Sequence, residues 1–135
     1  MGVSSNTASA RLDRIASRAR LLPGLEVLLL LGSRARGDTH VLSDWDFGYL
    51  ATPDLDLATL VTLLTEVLET DRVDVADLGR ASGLFRYRAA RDGVALVEAA
   101  PGIADRFRLE AARFWYDVAP VLERGYEEVL AELPS

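Results

Sequence analysis

The sequence predicts a mixed α/β domain, with about four short strands in one sheet, helices packed on it and a long C-terminal helix, on three observations. An apolar run, Leu25 to Leu31, stops at Gly32-Ser33. A second strand-like segment, Trp45 to Leu50, begins beside two aspartates one residue apart. Helix-like and strand-like patterns then alternate to the end of the chain.

Ser5 to Leu22 reads as a helix, because Leu12, Ile15, Ala19 and Leu22 recur at helical spacing and Pro23-Gly24 ends the pattern. Leu25 to Leu31 is continuously apolar, as a buried central strand would be. Ser33 to Arg36 opens a short helix, and Gly37 to Ser43 is a loop. In Trp45 to Leu50 the aromatics Trp45, Phe47 and Tyr49 alternate with Asp46, Gly48 and Leu50, so one face is bulky and the other open. Thr52-Pro53-Asp54 is the expected start of a helix whose stripe, Leu57, Leu60, Val61, Leu64, Val67 and Leu68, runs to about Glu69. Val73 to Leu78 is a third strand. A shorter helix follows the Gly79 to Ser82 turn and stops near Asp92-Gly93. Val94 to Glu98 is the fourth strand, and Pro101-Gly102 leads into a terminal helix, Ile103 to Leu133, which Pro120 should kink or divide.

At 135 residues the chain is expected to be one domain, residues 1–135, with 103–133 as its helical end. Half the residues are hydrophobic and 27% are charged, an ordinary globular balance. No cysteine is present, which excludes disulfides and thiolate metal sites. The net charge is −6 and every basic residue is arginine. An acidic domain is poorly suited to gripping a nucleic acid through phosphate contacts. The missing lysine excludes a Walker A loop and Schiff-base chemistry. No run is long enough to span a bilayer, and Met1 to Ser9 does not read as a secretory leader, so the cytoplasm is the expected compartment.

The chemistry concentrates between Leu28 and Leu50. A turn that leaves a strand and opens a helix presents backbone N–H groups to an anion. Gly32 admits a ligand close to the backbone, Ser33 offers a hydroxyl, and Arg34 and Arg36 can add charge-assisted bonds. Taken alone, Gly32-Ser33 reads first as a helix cap. Asp44 and Asp46 weigh against that, because residues i and i+2 of a strand share a face and two carboxylates there repel unless a cation lies between them. Oxygen ligands suit Mg²⁺, which takes one or two protein carboxylates together with substrate phosphates. Asp74, between Val73 and Val75, faces away from the core and reaches the same site if the two strands are neighbours. Asp77 falls on the other face or at the strand end, where a capping role is expected.

Gly32-Ser33-x-Ala35-Arg36-Gly37, then Ser43-Asp44-x-Asp46 and Val73-Asp74-Val75, resembles the nucleotidyltransferase fold of the DNA polymerase beta superfamily, most closely its minimal, MNT-type members. The resemblance implies two Mg²⁺ ions and a nucleoside triphosphate, usually ATP, whose α-phosphate is attacked by an acceptor hydroxyl. It implies that Asp44, Asp46 and Asp74 are the catalytic, metal-holding residues and that Gly32 and Ser33 hold the phosphates. Many such proteins resemble antitoxins that transfer AMP to a tyrosine of a HEPN-domain toxin. A HEPN-type toxin is therefore the expected partner. A toxin-binding protein without chemistry and a transferase acting on a small antibiotic-like molecule are the alternatives.

Other features have blander explanations. The terminal helix carries Phe107, Phe114, Trp115, Tyr116, Val118, Val121, Leu122, Tyr126, Val129 and Leu130, too many for one narrow stripe. Core packing is expected for some, and a partner or homo-oligomer surface for the excess. His40, the only histidine, is expected to be an exposed loop residue. Arg86, Arg88 and Arg91 are expected to scatter around the fourth helix on a solvated face, with one of them reaching a phosphate as the alternative.

Overall fold

The computed structural model describes residues 3–37 and 44–132. Its order is α1 (Val3–Ala19), β1 (Leu25–Leu31), α2 (Gly32–Ala35), β2 (Trp45–Ala51), α3 (Leu57–Leu68), β3 (Val73–Asp77), α4 (Gly83–Asp92), β4 (Val94–Glu98) and α5 (Ile103–Glu132). His40, Ser43 and Leu133 lie outside the described residues, as do the side chains of Leu122, Tyr126, Val129 and Leu130.

The four strands form one sheet in the order β3-β2-β1-β4. The all-apolar β1 is an inner strand, antiparallel to both β2 and β4, while β2 and β3 run parallel. Alternation along the strands divides the core in two. Leu28, Leu30, Trp45 and Phe47 pack on one side with Ile15 and Ala19 of α1 and Leu60, Leu64 and Val67 of α3. Val27, Leu29 and Leu31 pack on the other with Ala89 and Ala90 of α4 and Ala104, Phe107 and Ala111 of α5. The result is three layers, with α1 and α3 beneath the sheet and α4 and α5 above it.

Three boundaries differ from expectation. Helix α1 stops at Ala19, and Leu21 and Leu22 tighten into i→i+3 turns through N–H bonds to Arg18 and Ala19. Helix α3 does not start at Thr52-Pro53-Asp54. Those residues form a turn, and Asp56 is the cap, its carboxylate accepting from Ala58 N–H at 3.1 Å. Of the two expected effects of Pro120, a kink or a division, division does not occur, because α5 continues as one helix through it. A proline inside a helix removes one N–H bond, and three or more turns of helix on each side hold the element together.

The position of α4 matters most for the site. Its first turn is capped by Ser82, whose hydroxyl accepts from Phe85 N–H at 3.2 Å. Its last turn is tied to α5 by Arg108, which donates to the carbonyls of Ala90 (2.7 Å) and Gly93 (3.0 Å). Ser82→Ala leaves a helix-end N–H without its side-chain acceptor, and urea unfolding should show a loss of about 1 kcal/mol.

Candidate active site

The acidic residues meet as the strand pattern requires. In the parallel β2–β3 pair, Asp46 lies directly opposite Asp74. Val73 and Val75 turn to the α1/α3 side, so Asp74 shares the upper face with Asp46. Asp44, exposed, immediately precedes β2. On the other side of Asp46, the antiparallel register places Leu31, the last residue of β1. Gly32 follows with φ +70°, and a Cβ there would lie 2.6 Å from Asp46 Oδ2. Backbone and carboxylate thus touch at the bottom of a cleft. Only glycine combines that dihedral with that approach.

This cleft, about 450 Å³, is lined by Leu31, Gly32, Asp46, Phe47, Asp74, Val75, Ala76 and Phe85. Burial, then Asp74, then Asp44 push the Asp46 carboxyl above its usual range. A carboxylate so placed is poised to take a cation. Among the described residues no three acidic or histidine side chains are gathered tightly enough to close a metal shell by themselves. A Mg²⁺ site needs no such shell, because water and substrate phosphates complete it, and an all-oxygen pair in register fits that use.

The other expected residues separate. Arg36 lines an adjoining cleft of about 430 Å³ that shares Leu31, Gly32 and Phe85 with the first. Ser33 follows Gly32 in α2 and is half-buried. The cap position of α2 falls on Leu31, not on a serine, and no side chain caps the turn. Arg34 is not brought to either cleft. Its guanidinium lies 3.8 Å over the Trp45 ring, on the lower side of the sheet. Asp77 is likewise remote, opposite Tyr49 in the ladder. Its carboxylate accepts from Gly79 N–H at 2.9 Å, which forms a turn, while the expected helix-capping role falls to Ser82.

Phe85 was not expected at the site, and a solvated face was the first expectation for Arg88 and Arg91. All three face the clefts from α4. Their spacing of three residues places them on one helix stripe, a signal readable in the sequence. Arg86, off that stripe, lies over Phe107 of α5 instead. Size alone does not identify the site. A groove of about 470 Å³ between α1 and α3 contains the Arg18–Glu66 ion pair (3.2 Å) but no convergent set of carboxylates.

The comparisons with known proteins agree with this geometry. The chain is 31% identical over 99 residues to the protein adenylyltransferase MntA of Aphanizomenon flos-aquae (strain 2012/KM1/D3), a match spanning 64% of this chain and 66% of that relative. A chain of a toxin–antitoxin crystal structure with AMP-PNP superposes with a TM-score of 0.67 at 24% identity, covering 93% of this chain and 97% of that one. A chain of the complex between a tri-AMPylated Shewanella oneidensis HEPN toxin and its MNT antitoxin gives 0.67 at 21%, covering 90% and 98%. Among the described residues no helix is long and apolar enough to cross a membrane. Residues 14–101, more than half the chain and the whole of both clefts' strands, match the polymerase beta nucleotidyltransferase model, so the chain belongs to that family.

Proposed function

We propose that this protein is a Mg²⁺-dependent nucleotidyltransferase that moves AMP from ATP to a hydroxyl of a protein partner, most simply a tyrosine of a HEPN-type toxin, and so acts as an antitoxin in the cytoplasm. The observation that carries the reading is the opposition of Asp46 and Asp74 beside the backbone of Gly32. The relatives supply the acceptor class, since one is named a protein adenylyltransferase and one is an antitoxin bound to an AMPylated toxin.

Bound Mg²⁺, two ions in this reading, supplies the positive charge that lets phosphates and carboxylates share one cleft. Asp46 of β2 and Asp44 just before it would hold the cation at the nucleotide's phosphates. Gly32 and Ser33 admit the phosphates against the backbone. Asp74, across the ladder, takes the proton of the acceptor hydroxyl. The hydroxyl oxygen forms a bond to the α-phosphorus, the bond to the bridging oxygen breaks, and pyrophosphate leaves with the electron pair. The reaction needs the acceptor and the leaving group in line across the cleft.

The test is incubation of the purified chain with ATP, Mg²⁺ and the HEPN-type partner, followed by intact-mass measurement. The expected result is a gain of one AMP per modified hydroxyl, lost with Asp74→Asn. Exposed Phe114, Tyr116 and Val121 on α5 favour a second reading in which binding itself neutralises the toxin, or in which α5 joins two copies of the chain. Neutralisation that survives Asp74→Asn without any mass gain would establish binding as the mechanism.

A further inference from the structure

We propose that Phe85, in the first turn of α4, is the platform on which the acceptor side chain lies, and that its ring makes a tyrosine the preferred acceptor over a serine or threonine. The proposal rests on the nucleotidyltransferase reading and adds a residue outside the Gly-Ser and aspartate motifs.

Phe85 differs from the other aromatic residues in what its ring meets. Trp45 and Phe47 are buried and stack on each other with centroids 6.4 Å apart. Tyr87, two residues along α4, turns to α5, where it stacks on Trp115 at 5.8 Å and meets Tyr116 edge-on at 6.0 Å. Phe85 meets no other ring among the described residues. It stays 42% exposed, and it lines the cleft that holds Asp46 and Asp74. Apolar area left in water at a site is recovered by a ligand that covers it. The platform is also held in place. Phe85 N–H donates to the Ser82 hydroxyl at 3.2 Å, and the next N–H, of Arg86, donates to the Ser82 carbonyl at 2.9 Å. A ring fixed on a capped helix turn positions a partner better than one on a loop.

The place of the ring favours the acceptor over the nucleotide as its ligand. Of the stripe Phe85, Arg88 and Arg91, only Phe85 reaches the cleft over β2 and β3, where it joins Asp74, Val75 and Ala76. The strand order puts Asp46 between Asp74 and the Gly32 turn. In the proposed reaction Asp74 takes the acceptor's proton, so the acceptor lies on the β3 side, away from the phosphates. Ala76, the next residue of β3 on that face, contributes only a methyl group and keeps the floor there low and apolar.

A phenolic hydroxyl stands at the far end of a flat ring. A tyrosine laid along Phe85 carries its oxygen to Asp74 while its backbone stays outside the cleft. A serine hydroxyl is one bond from Cβ, so the backbone itself would have to enter. Ring-on-ring contact is worth more than the area it buries, and a serine has no ring to offer. The chemical step is the one already given: the phenol oxygen bonds to the α-phosphorus, its proton passes to Asp74, and pyrophosphate leaves with the electron pair.

The experiment measures kcat/KM for AMP transfer from ATP to the HEPN-type partner, and calorimetric binding of a non-hydrolysable ATP analogue with Mg²⁺. Both are read for the wild type, Phe85→Leu and Phe85→Tyr. Leucine keeps the apolar bulk without the ring face, and should lower transfer about five- to tenfold. Tyrosine keeps the ring and should stay close to wild type. Analogue binding should be the same for all three, and so should the melting temperature, since Phe85 is exposed. A partner carrying serine in place of its acceptor tyrosine should be modified more slowly by the wild type. The platform is overturned, with the nucleotidyltransferase reading intact, if Phe85→Leu transfers like wild type, if Phe85→Tyr falls as far as Phe85→Leu, or if the serine partner is modified as fast as the tyrosine one. Analogue binding that weakens as much as transfer would assign Phe85 to the nucleotide and overturn it equally. Absence of any transfer by the wild type would remove the nucleotidyltransferase reading and the platform together.

Discussion

Asp46→Asn should lower AMP transfer to the partner by about a thousandfold or more, while raising the melting temperature of the metal-free protein. The first effect follows from position. Asp46 is the carboxylate that, among the described residues, comes against Gly32, and it lies directly across from Asp74. Removing its charge takes away a ligand at the point where phosphate and cation would meet, and several kcal/mol of charge stabilisation is lost with it. A transfer assay with the HEPN-type partner measures this directly. Transfer at the wild-type rate would remove Asp46 from the chemistry.

The second effect follows from linkage. The folded protein holds the Asp46 carboxyl above its usual range, through burial and the charges of Asp74 and Asp44. The folded state therefore binds this proton more tightly than the unfolded chain does. Between the ordinary carboxylate value and the raised one, stability rises as pH falls, and above the raised value the ionised group works against the fold. Asparagine carries no charge at any pH. The variant should melt higher than wild type in EDTA near neutrality and lose this part of the acid-side slope. Asp74→Asn removes one cause of the shift and should bring the Asp46 carboxyl back toward its ordinary range. A melting temperature that falls on Asp46→Asn would show that the three charges do not repel as placed.

Much of this was legible in the sequence because strand geometry is short-ranged. Val73-Asp74-Val75 alternates, so two apolar neighbours determine where the aspartate points. The Leu25–Leu31 run could only be a strand covered on both sides, and it is. Less was legible where side chains compete for one role. Asp54 and Asp56 are both plausible caps, and only the path of the Thr52 turn selects Asp56. Arg34 and Arg36 look alike in the sequence, yet one lies over Trp45 and the other lines the cleft. Their divergence depends on a turn of four residues, where each step rotates a side chain by about 100°. Arg88 and Arg91 were ranked as a solvated face for a different reason. Their stripe was visible, but what it faces depends on α4 crossing the end of β1, a contact between elements far apart in sequence.

Gly32→Ala should reduce transfer about a hundredfold and destabilise the fold by about 1–2 kcal/mol. Two costs combine. An alanine at φ +70° is held in a left-handed conformation that its Cβ disfavours. That Cβ would also meet Asp46 Oδ2 at 2.6 Å, closer than carbon and oxygen can pack. The carboxylate must then swing away or the turn must open. Either movement separates the backbone proposed to receive phosphate from the carboxylate that faces it, and an ångström of misplacement at a reacting centre is enough for a hundredfold loss. Gly37 provides the control. Its φ is +84°, but no atom of the described residues lies within 4 Å of a Cβ placed there. Gly37→Ala should carry a similar dihedral cost in chemical denaturation without the same loss of transfer. Equal losses of activity from the two variants would mean that backbone strain, and not the contact with Asp46, governs the site.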